Sequence, residues 1–164
     1  MVIVSDTSPI IALALCNKLD LLDKIFNQIS IPQAVFTELA IPDKPKASDI
    51  IEWARDKVIP AKNTAAITAL SMNLDLGESE AISLYWEIAA DFLLIDEKRG
   101  RIIAHRNGIK TIGSIGILLS AKQNDLIASV KPYLDILMHN NFRISDILYQ
   151  QILERTGELG SHNQ

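Results

Sequence analysis

The stretch VIVSDTSP at residues 2–9 joins the end of a strand to the start of a helix. Its first three residues are apolar and β-branched, a composition typical of a short strand that is buried on both faces. Pro9 suits the first turn of a helix, where its missing N–H costs no hydrogen bond. Asp6 is therefore predicted to lie where a strand ends and a helix begins, the edge at which parallel sheets bind ligands.

Apolar segments like this first one recur between helical patterns along the chain. Residues 28–31, 58–60, 92–95 and 109–112 are predicted strands, and the segments between them carry apolar residues at helical spacing. This alternation predicts an α/β fold with a mostly parallel sheet and helices on both of its faces. The polar segment at 41–46 contains two prolines and is predicted to be a loop.

Length and composition favour one globular domain. The chain has 164 residues, of which 48% are hydrophobic and 22% are charged, so one core of ordinary composition is expected. We predict a single domain over residues 1–156 and a flexible polar tail at 157–164. The one cysteine, Cys16, excludes an internal disulfide framework and a cysteine zinc site.

Neither a signal peptide nor a membrane anchor is predicted. No apolar run approaches the ~20 residues that a membrane span needs. The apolar N-terminus lacks a positively charged region and is interrupted by Asp6. We therefore expect a cytoplasmic protein without a membrane partner.

Acidic residues at four places in the chain are candidates for a metal site. Asp6 and Asp96 each follow a predicted buried strand, so both should emerge at the same edge of the sheet. Glu38 lies on the same helical turn as two apolar residues, which is a poor position for a solvated charge. The last acid is Glu78 or Glu80, in the first turn of a predicted helix.

Converging carboxylates favour a divalent metal ion. Several carboxylates at one point repel one another and cannot all stay ionised unaided. Hard cations with oxygen ligands resolve this repulsion, and Mg²⁺ or Mn²⁺ is the natural choice. Two such ions ~3.5–4 Å apart are the usual device for in-line attack on a phosphodiester. The acids therefore favour a metal-dependent phosphodiesterase.

Each of these acids also has a purely structural explanation. Asp6, together with Thr7 and Ser8, is alternatively the cap of the helix that follows it. Asp96 is alternatively the cap of its own helix. Glu38 is alternatively a half-exposed residue of its helix. The two glutamates in the first turn of their helix are favoured there by the helix dipole alone.

Basic residues concentrate just after Asp96, in a chain whose net charge is −4. They are Lys98, Arg99, Arg101, His105 and Arg106. Helical spacing places Lys98, Arg101 and His105 on one face, where they are predicted to hold the phosphate backbone of a nucleic acid. The alternative is a solvated helix face that pairs with nearby acids. His105 is expected to contact phosphate or solvent, since a metal-bound water needs no histidine as a base.

Several segments of the chain, taken in order, resemble the PIN-domain superfamily of small metal-dependent ribonucleases. The first set is VSDTSPII at 4–11, IPQAVFTEL at 31–39 and LLID at 93–96. A second set is similar to a prokaryotic PIN-like branch known as a domain of unknown function: LGESEAI at 76–82, DEKRGR at 96–101 and IGSIGIL at 112–118. The resemblance covers nearly the whole chain.

This resemblance implies a three-layer α/β/α sandwich with a mostly parallel central sheet, and Mg²⁺ or Mn²⁺ held by acids. Asp6, Glu38 and Asp96 match ligand positions of the superfamily directly. Thr7 or Ser8 is expected to orient Asp6 or a bound water from a second layer around the metal.

The last ligand departs from the superfamily pattern, because the usual helical aspartate is replaced by GESE at residues 77–80. Glu78 lies farther before Asp96 than Glu80 does, and this longer spacing is closer to that of the superfamily. The resemblance therefore makes Glu78 the preferred ligand and Glu80 the alternative.

Many members of the superfamily are toxins of toxin–antitoxin pairs, of the VapC kind. The resemblance thus implies an RNA substrate, a small antitoxin protein as partner and a homodimer. The leading interpretation is a metal-dependent endoribonuclease. The alternative is a PIN-like module that binds nucleic acid or a protein without catalysis, and a DNA-directed nuclease would use the same chemistry.

Overall fold

The structure is a computed structural model, and it describes residues 1–160. Within this part of the chain the strands are β1 (Val2–Ser5), β2 (Gln28–Pro32), β3 (Val58–Ile59), β4 (Phe92–Leu94) and β5 (Thr111–Ile112). The helices are α1 (Thr7–Leu15), α2 (Asp20–Ile25), α3 (Gln33–Leu39), α4 (Ala47–Ala54), α5 (Thr64–Leu70), α6 (Leu76–Glu87), α7 (Lys98–Arg106), α8 (Ser114–Gln123), α9 (Lys131–His139) and α10 (Asp146–Thr156).

The five strands form one sheet in the order β3-β2-β1-β4-β5, and every pair is parallel. This arrangement confirms the predicted α/β/α sandwich with its parallel sheet. β1 lies at the centre, and the chain leaves it first towards β2 and later towards β4. The strand order therefore reverses beside β1, which is where open parallel sheets form a crevice for ligands.

The register of β1 and β4 brings the ends of these two strands side by side. Ser5 pairs with Leu94, and the backbone N–H of Asp6 donates to the carbonyl of Leu94 at 2.9 Å. Asp6 and Asp96 therefore follow adjacent strands at the same edge of the sheet, as the sequence predicts.

An aliphatic core holds α6 and α7 against the strands that carry these acids. Val4 of β1 and Leu93 of β4 are fully buried in one cluster with Ile82 of α6 and Ala104 of α7. Burial of such side chains contributes roughly 1.5–3 kcal/mol each. The start of α6 and the whole of α7 are thus fixed relative to the sheet edge.

The chain forms two compact units, Met1–Ser114 and the residues from 115 onward. The first unit contains the sheet, α1 to α7 and every residue predicted for the site. The second consists of α9, α10 and nearly all of α8. The single domain predicted over residues 1–156 stays a prediction. None of the helices within residues 1–160 is long and apolar enough to cross a membrane.

The first residues of the predicted tail, Gly157 and Glu158, make defined contacts within the second unit. Gly157 ends α10 with a φ of 69°, and the Glu158 carboxylate accepts hydrogen bonds from the backbone N–H groups of Val130 and Lys131, each at 2.8 Å. Residues 161–164 lie outside the described residues. The flexible tail at 157–164 therefore stays a prediction.

Candidate functional site

Asp6 occupies the N-cap position of α1, but within the described chain its side chain makes no capping hydrogen bond. It is only 5% exposed. Burial raises the pKa of its carboxyl to about 7, although the backbone N–H of Thr7 opposes the rise. Three negative charges raise this pKa further, those of Glu78, Asp75 and Glu38. Asp6 is thus the centre of a group of carboxylates and not a simple helix cap.

Glu38 reaches this group from α3, the helix that follows β2. The Thr7 hydroxyl donates to Glu38 Oε2 at 2.9 Å, and Lys44 Nζ lies 3.5 Å from Glu38 Oε1. The side chain of Glu38 is 46% exposed. The Thr7 hydroxyl therefore orients Glu38. That Thr7 or Ser8 orients Asp6 or a bound water stays a prediction. Ser8 lies in the first turn of α1.

Glu78 is held by a capping box at the start of α6. Asp75 Oδ1 accepts from the backbone N–H of Glu78 at 2.8 Å, and Glu78 Oε2 accepts from the backbone N–H of Asp75 at 3.2 Å. Glu78 is 6% exposed, and burial raises the pKa of its carboxyl. Its second oxygen, Oε1, is buried without a hydrogen-bond partner among residues 1–160.

Glu80 is directed elsewhere, towards the start of α3. Its Oε2 atom accepts from the backbone N–H of Ala34 at 2.8 Å. That bond satisfies one of the N–H groups that the first turn of a helix leaves unpaired. The placement favours Glu78 over Glu80 as a metal ligand, because Glu78 keeps a buried oxygen atom free.

Asp96 follows β4 and contacts the start of α8. Its Oδ1 atom accepts from the backbone N–H of Ser114 at 2.8 Å, while Oδ2 is buried with no partner in the described part of the chain. Burial raises the pKa of Asp96, and both Ser114 and the charge of Arg101 lower it. The N-cap of α7 is Glu97, so the alternative that Asp96 caps α7 is wrong.

Two glycines let backbone approach these carboxylates closely. A methyl group at Gly100 would lie 2.6 Å from Glu78 Oε1, and one at Gly113 would lie 2.7 Å from Asp96 Oδ1. Both distances are far below van der Waals contact, so a side chain at either position would displace the carboxylate. Both glycines lie in segments that resemble the family, DEKRGR at 96–101 and IGSIGIL at 112–118. The sequence does not show which side chains they contact.

Asp75 is a member of the carboxylate group that the sequence reasoning missed. A methyl group at Gly77 would lie 3.4 Å from Asp75 Oδ1 and 3.7 Å from Asp6 Oδ1, so the two carboxylates flank one small space. The negative charge of Asp75 also raises the pKa of both Asp6 and Glu78. The spacing of an N-cap acid three residues before a glutamate is a capping-box signal that would have drawn attention to it.

The basic residues of α7 lie on both sides of the helix. Arg101, His105, Lys98 and Arg106 line a cavity of about 430 Å³ together with Asp96. Arg99 is on the other side, in a cavity of about 490 Å³ that Asp75 and Glu78 also line.

The charges of two arginine residues of α7 act on acids of the site, Arg101 on Asp96 and Arg99 on Glu78, but without close ion pairs in the described chain. None of the ion pairs within residues 1–160 involves Lys98, Arg99, Arg101 or Arg106. His105 Nε2 lies 2.7 Å from the hydroxyl oxygen of Thr111. Without a close ion pair among the described residues, these cations are free to contact an anionic ligand.

Comparison with known proteins agrees with this geometry. The DUF3368 family model, described as a PIN domain, matches residues 2–158. The chain belongs to this family of PIN domains. PIN domains are generally nucleases. No curated protein and no solved structure matches the chain significantly.

In this PIN domain two of the predicted metal ligands follow adjacent strands, Asp6 after β1 and Asp96 after β4. The charges of Glu38 and Glu78 raise the pKa of Asp6, and the charge of Arg101 lowers that of Asp96. Among residues 1–160, no three His, Cys, Asp or Glu residues are arranged to hold one metal ion. The donors are nevertheless all oxygen atoms, which Mg²⁺ and Mn²⁺ prefer.

The unpartnered oxygens show that these residues fit a hard cation. Glu78 Oε1 and Asp96 Oδ2 are buried carboxylate oxygens without a hydrogen-bond partner in residues 1–160. Leaving such an acceptor unpaired costs roughly 1–3 kcal/mol, and more if it is charged. A divalent cation would satisfy either oxygen.

Proposed function

We propose that this PIN domain is an endoribonuclease that depends on Mg²⁺ or Mn²⁺. The proposed ligands are Asp6, Glu38, Glu78 and Asp96. The observation that carries the proposal is the pair of buried, unpartnered oxygens, Glu78 Oε1 and Asp96 Oδ2, beside the strand ends. When bound, the metal supplies an activated water and stabilises the developing charge on the phosphate.

The surrounding residues hold the acids in fixed orientations. The Thr7 hydroxyl positions Glu38, and the backbone of Asp75 positions Glu78. The backbone N–H of Ser114 fixes one oxygen of Asp96 and leaves the other free. Such outer contacts are what keeps metal ligands in a productive geometry.

The nucleic acid is proposed to bind along α7. Arg101, His105, Lys98 and Arg106 line the same cavity as Asp96, so a phosphate that these side chains hold lies next to a proposed metal ligand. Phosphate contacts of this kind supply most of the non-specific affinity and make it dependent on salt.

Cleavage of RNA with Mn²⁺ present tests the proposal. Wild-type protein is expected to cut a mixture of structured and unstructured RNAs, and Asp6→Asn and Asp96→Asn are each expected to reduce the rate by about 100-fold or more. Glu52→Gln, an exposed acid on α4, is the matched control and should cut normally. Intact RNA in excess Mn²⁺, with no metal-dependent rise in melting temperature, would overturn the proposal.

A second candidate function is binding without catalysis, because no three potential ligands within residues 1–160 are arranged around one point. In that case RNA or a protein partner binds equally well with EDTA and with Mn²⁺, and no RNA is cut. DNA substrates run in parallel separate a ribonuclease from a DNA-directed nuclease of the same chemistry.

The toxin role rests on the resemblance alone and extends the same proposal. It includes a small antitoxin protein as partner, a homodimer and a cytoplasmic location. Expression is expected to arrest growth, and co-expression of a short neighbouring reading frame is expected to relieve the arrest. Growth arrest that persists in Asp6→Asn would separate toxicity from nuclease activity.

A further inference from the structure

A third cavity lies between α5 and α7, and Asp96 is not among the residues that line it. Its volume is about 710 Å³. Leu70 of α5 and the α7 residues Ile102 and Ile103 give it an apolar lining. Ile102 is 42% exposed, so its side chain is accessible to a ligand in the cavity.

The lining of this cavity also carries an excess of positive charge. Lys98, Arg99 and Arg106 line it together with a single acid, Glu97. None of these three cations takes part in an ion pair within residues 1–160. A concave, positively charged surface attracts an anionic ligand.

The cavity between α5 and α7 adjoins the cavity that contains Asp96. Lys98, Ile102 and Arg106 line both of them, and their spacing places them in one row along α7. A polymer that crosses this row contacts both cavities. The shared row of two cations favours an extended nucleic-acid strand as the occupant.

We propose that the cavity between α5 and α7 receives a nucleotide of a single-stranded RNA segment, next to the phosphate held beside Asp96. The inference rests on the nucleic-acid binding in the proposed function and adds a second subsite to it. A base enters such a cavity only when it has left the helical stack, so the substrate is single-stranded at that nucleotide. The aliphatic lining contacts the base, and the arginines contact the phosphate or stack on the base.

Ala69 allows a test of this subsite without changing a basic residue. It lies on α5, is exposed and lines the cavity. Ala69→Glu adds both bulk and negative charge, and Ala69→Gln adds the same bulk without charge. Ala65→Glu is the matched control, because Ala65 is exposed on the same helix but does not line the cavity.

The affinity for a short single-stranded RNA is measured by fluorescence anisotropy with EDTA present, so that cleavage does not interfere. Ala69→Glu is expected to weaken binding by roughly tenfold or more, because like charges are brought together in the cavity. Ala69→Gln should weaken binding less, and Ala65→Glu by less than about twofold. A duplex of the same sequence should be insensitive to Ala69→Glu.

Equal weakening by Ala69→Glu and Ala65→Glu would overturn the inference, since it would show a general charge effect. Unchanged RNA binding in Ala69→Glu would overturn it as well. Poly-glutamate is titrated in parallel. If Ala69→Glu weakens the binding of this peptide but not that of RNA, the cavity belongs to an acidic protein segment and the inference is overturned.

Cleavage with Mn²⁺ is scored separately and distinguishes this inference from the proposed function. Binding that depends on Ala69 without any cleavage would support the subsite and refute the nuclease. Cleavage together with RNA affinity that is unchanged by Ala69→Glu would support the nuclease and refute the subsite.

Discussion

The buried carboxyl of Asp6 destabilises the folded state when it is ionised. Burial raises the pKa of its carboxyl from 3.8 to about 7. The folded state therefore binds the proton more tightly than the unfolded state does. The stability that this proton provides is fully present below pH ~4 and is lost as the pH rises to about 7. At pH 8 the ionised carboxylate lowers the free energy of unfolding by about 4 kcal/mol at most.

Asp6→Asn is expected to stabilise the metal-free protein at pH 8. The neutral amide removes a buried negative charge, so the free energy of unfolding should rise by roughly 1–4 kcal/mol. At pH 4 the two proteins should differ little. Urea unfolding with EDTA at both pH values measures the effect, and Glu52→Gln is the exposed control. A variant whose stability changes with pH as steeply as that of the wild type would contradict the assigned pKa.

At the residue scale, the sequence predicts the acids at strand ends but not their surroundings. Asp6 and Asp96 are predictable because each follows a short apolar strand, and parallel strands end at one edge. Asp75 is missed because its capping box looks like an ordinary helix start. The approach of Gly100 and Gly113 to the carboxylates depends on tertiary contacts that no local pattern encodes.

At the scale of elements, the position of α3 depends on a side chain from α6. The Glu80 carboxylate accepts from the backbone N–H of Ala34 in the first turn of α3. Glu38 lies on this same short helix. Glu80 is therefore placed to position a proposed metal ligand from the opposite end of α3.

Substitution of Glu80 tests this contact between helices. Glu80→Gln keeps a carbonyl acceptor for the Ala34 N–H and should change the free energy of unfolding by less than about 0.5 kcal/mol. Glu80→Leu removes the acceptor and should cost about 1–2 kcal/mol. Urea unfolding compares the two variants. Equal stability of Glu80→Leu and the wild type would show that the bond does not hold α3.

Element order is well predicted from the sequence, whereas the boundaries of some elements are not. The predicted strand at 109–112 is shorter in the structure, where β5 is Thr111–Ile112. The helix after Asp96 begins at Lys98, which is why Glu97 and not Asp96 takes the N-cap position. Hydrophobic patterns fix which segments are helices and strands, but hydrogen bonding to neighbours fixes where they end.

At the scale of the whole molecule, charge is distributed unevenly in a chain of net charge −4. The carboxylates lie at the ends of β1 and β4, and the unpaired cations of α7 lie beside them. This arrangement places a helix that is proposed to bind phosphate next to a site that is proposed to bind a cation. The family match over residues 2–158 covers all of these residues.

The sequence predicts the fold of this molecule but not the side-chain geometry of its site. The parallel sheet and the family both follow from ordered patterns along the chain. Whether Glu78 and Asp96 reach one cation depends on side-chain orientation, and the structure leaves one buried oxygen free on each of them.

Titration of the protein with Mn²⁺ tests the proposed metal site most directly. The electron paramagnetic resonance signal of the free ion measures how much Mn²⁺ remains unbound. Wild-type protein is expected to bind Mn²⁺, and Glu78→Gln is expected to weaken that binding by about tenfold or more. Glu52→Gln, an exposed acid on α4, is the matched control and should bind as the wild type does. Wild-type protein that leaves the Mn²⁺ signal unchanged, or Glu78→Gln that binds as tightly as the wild type, would contradict the account.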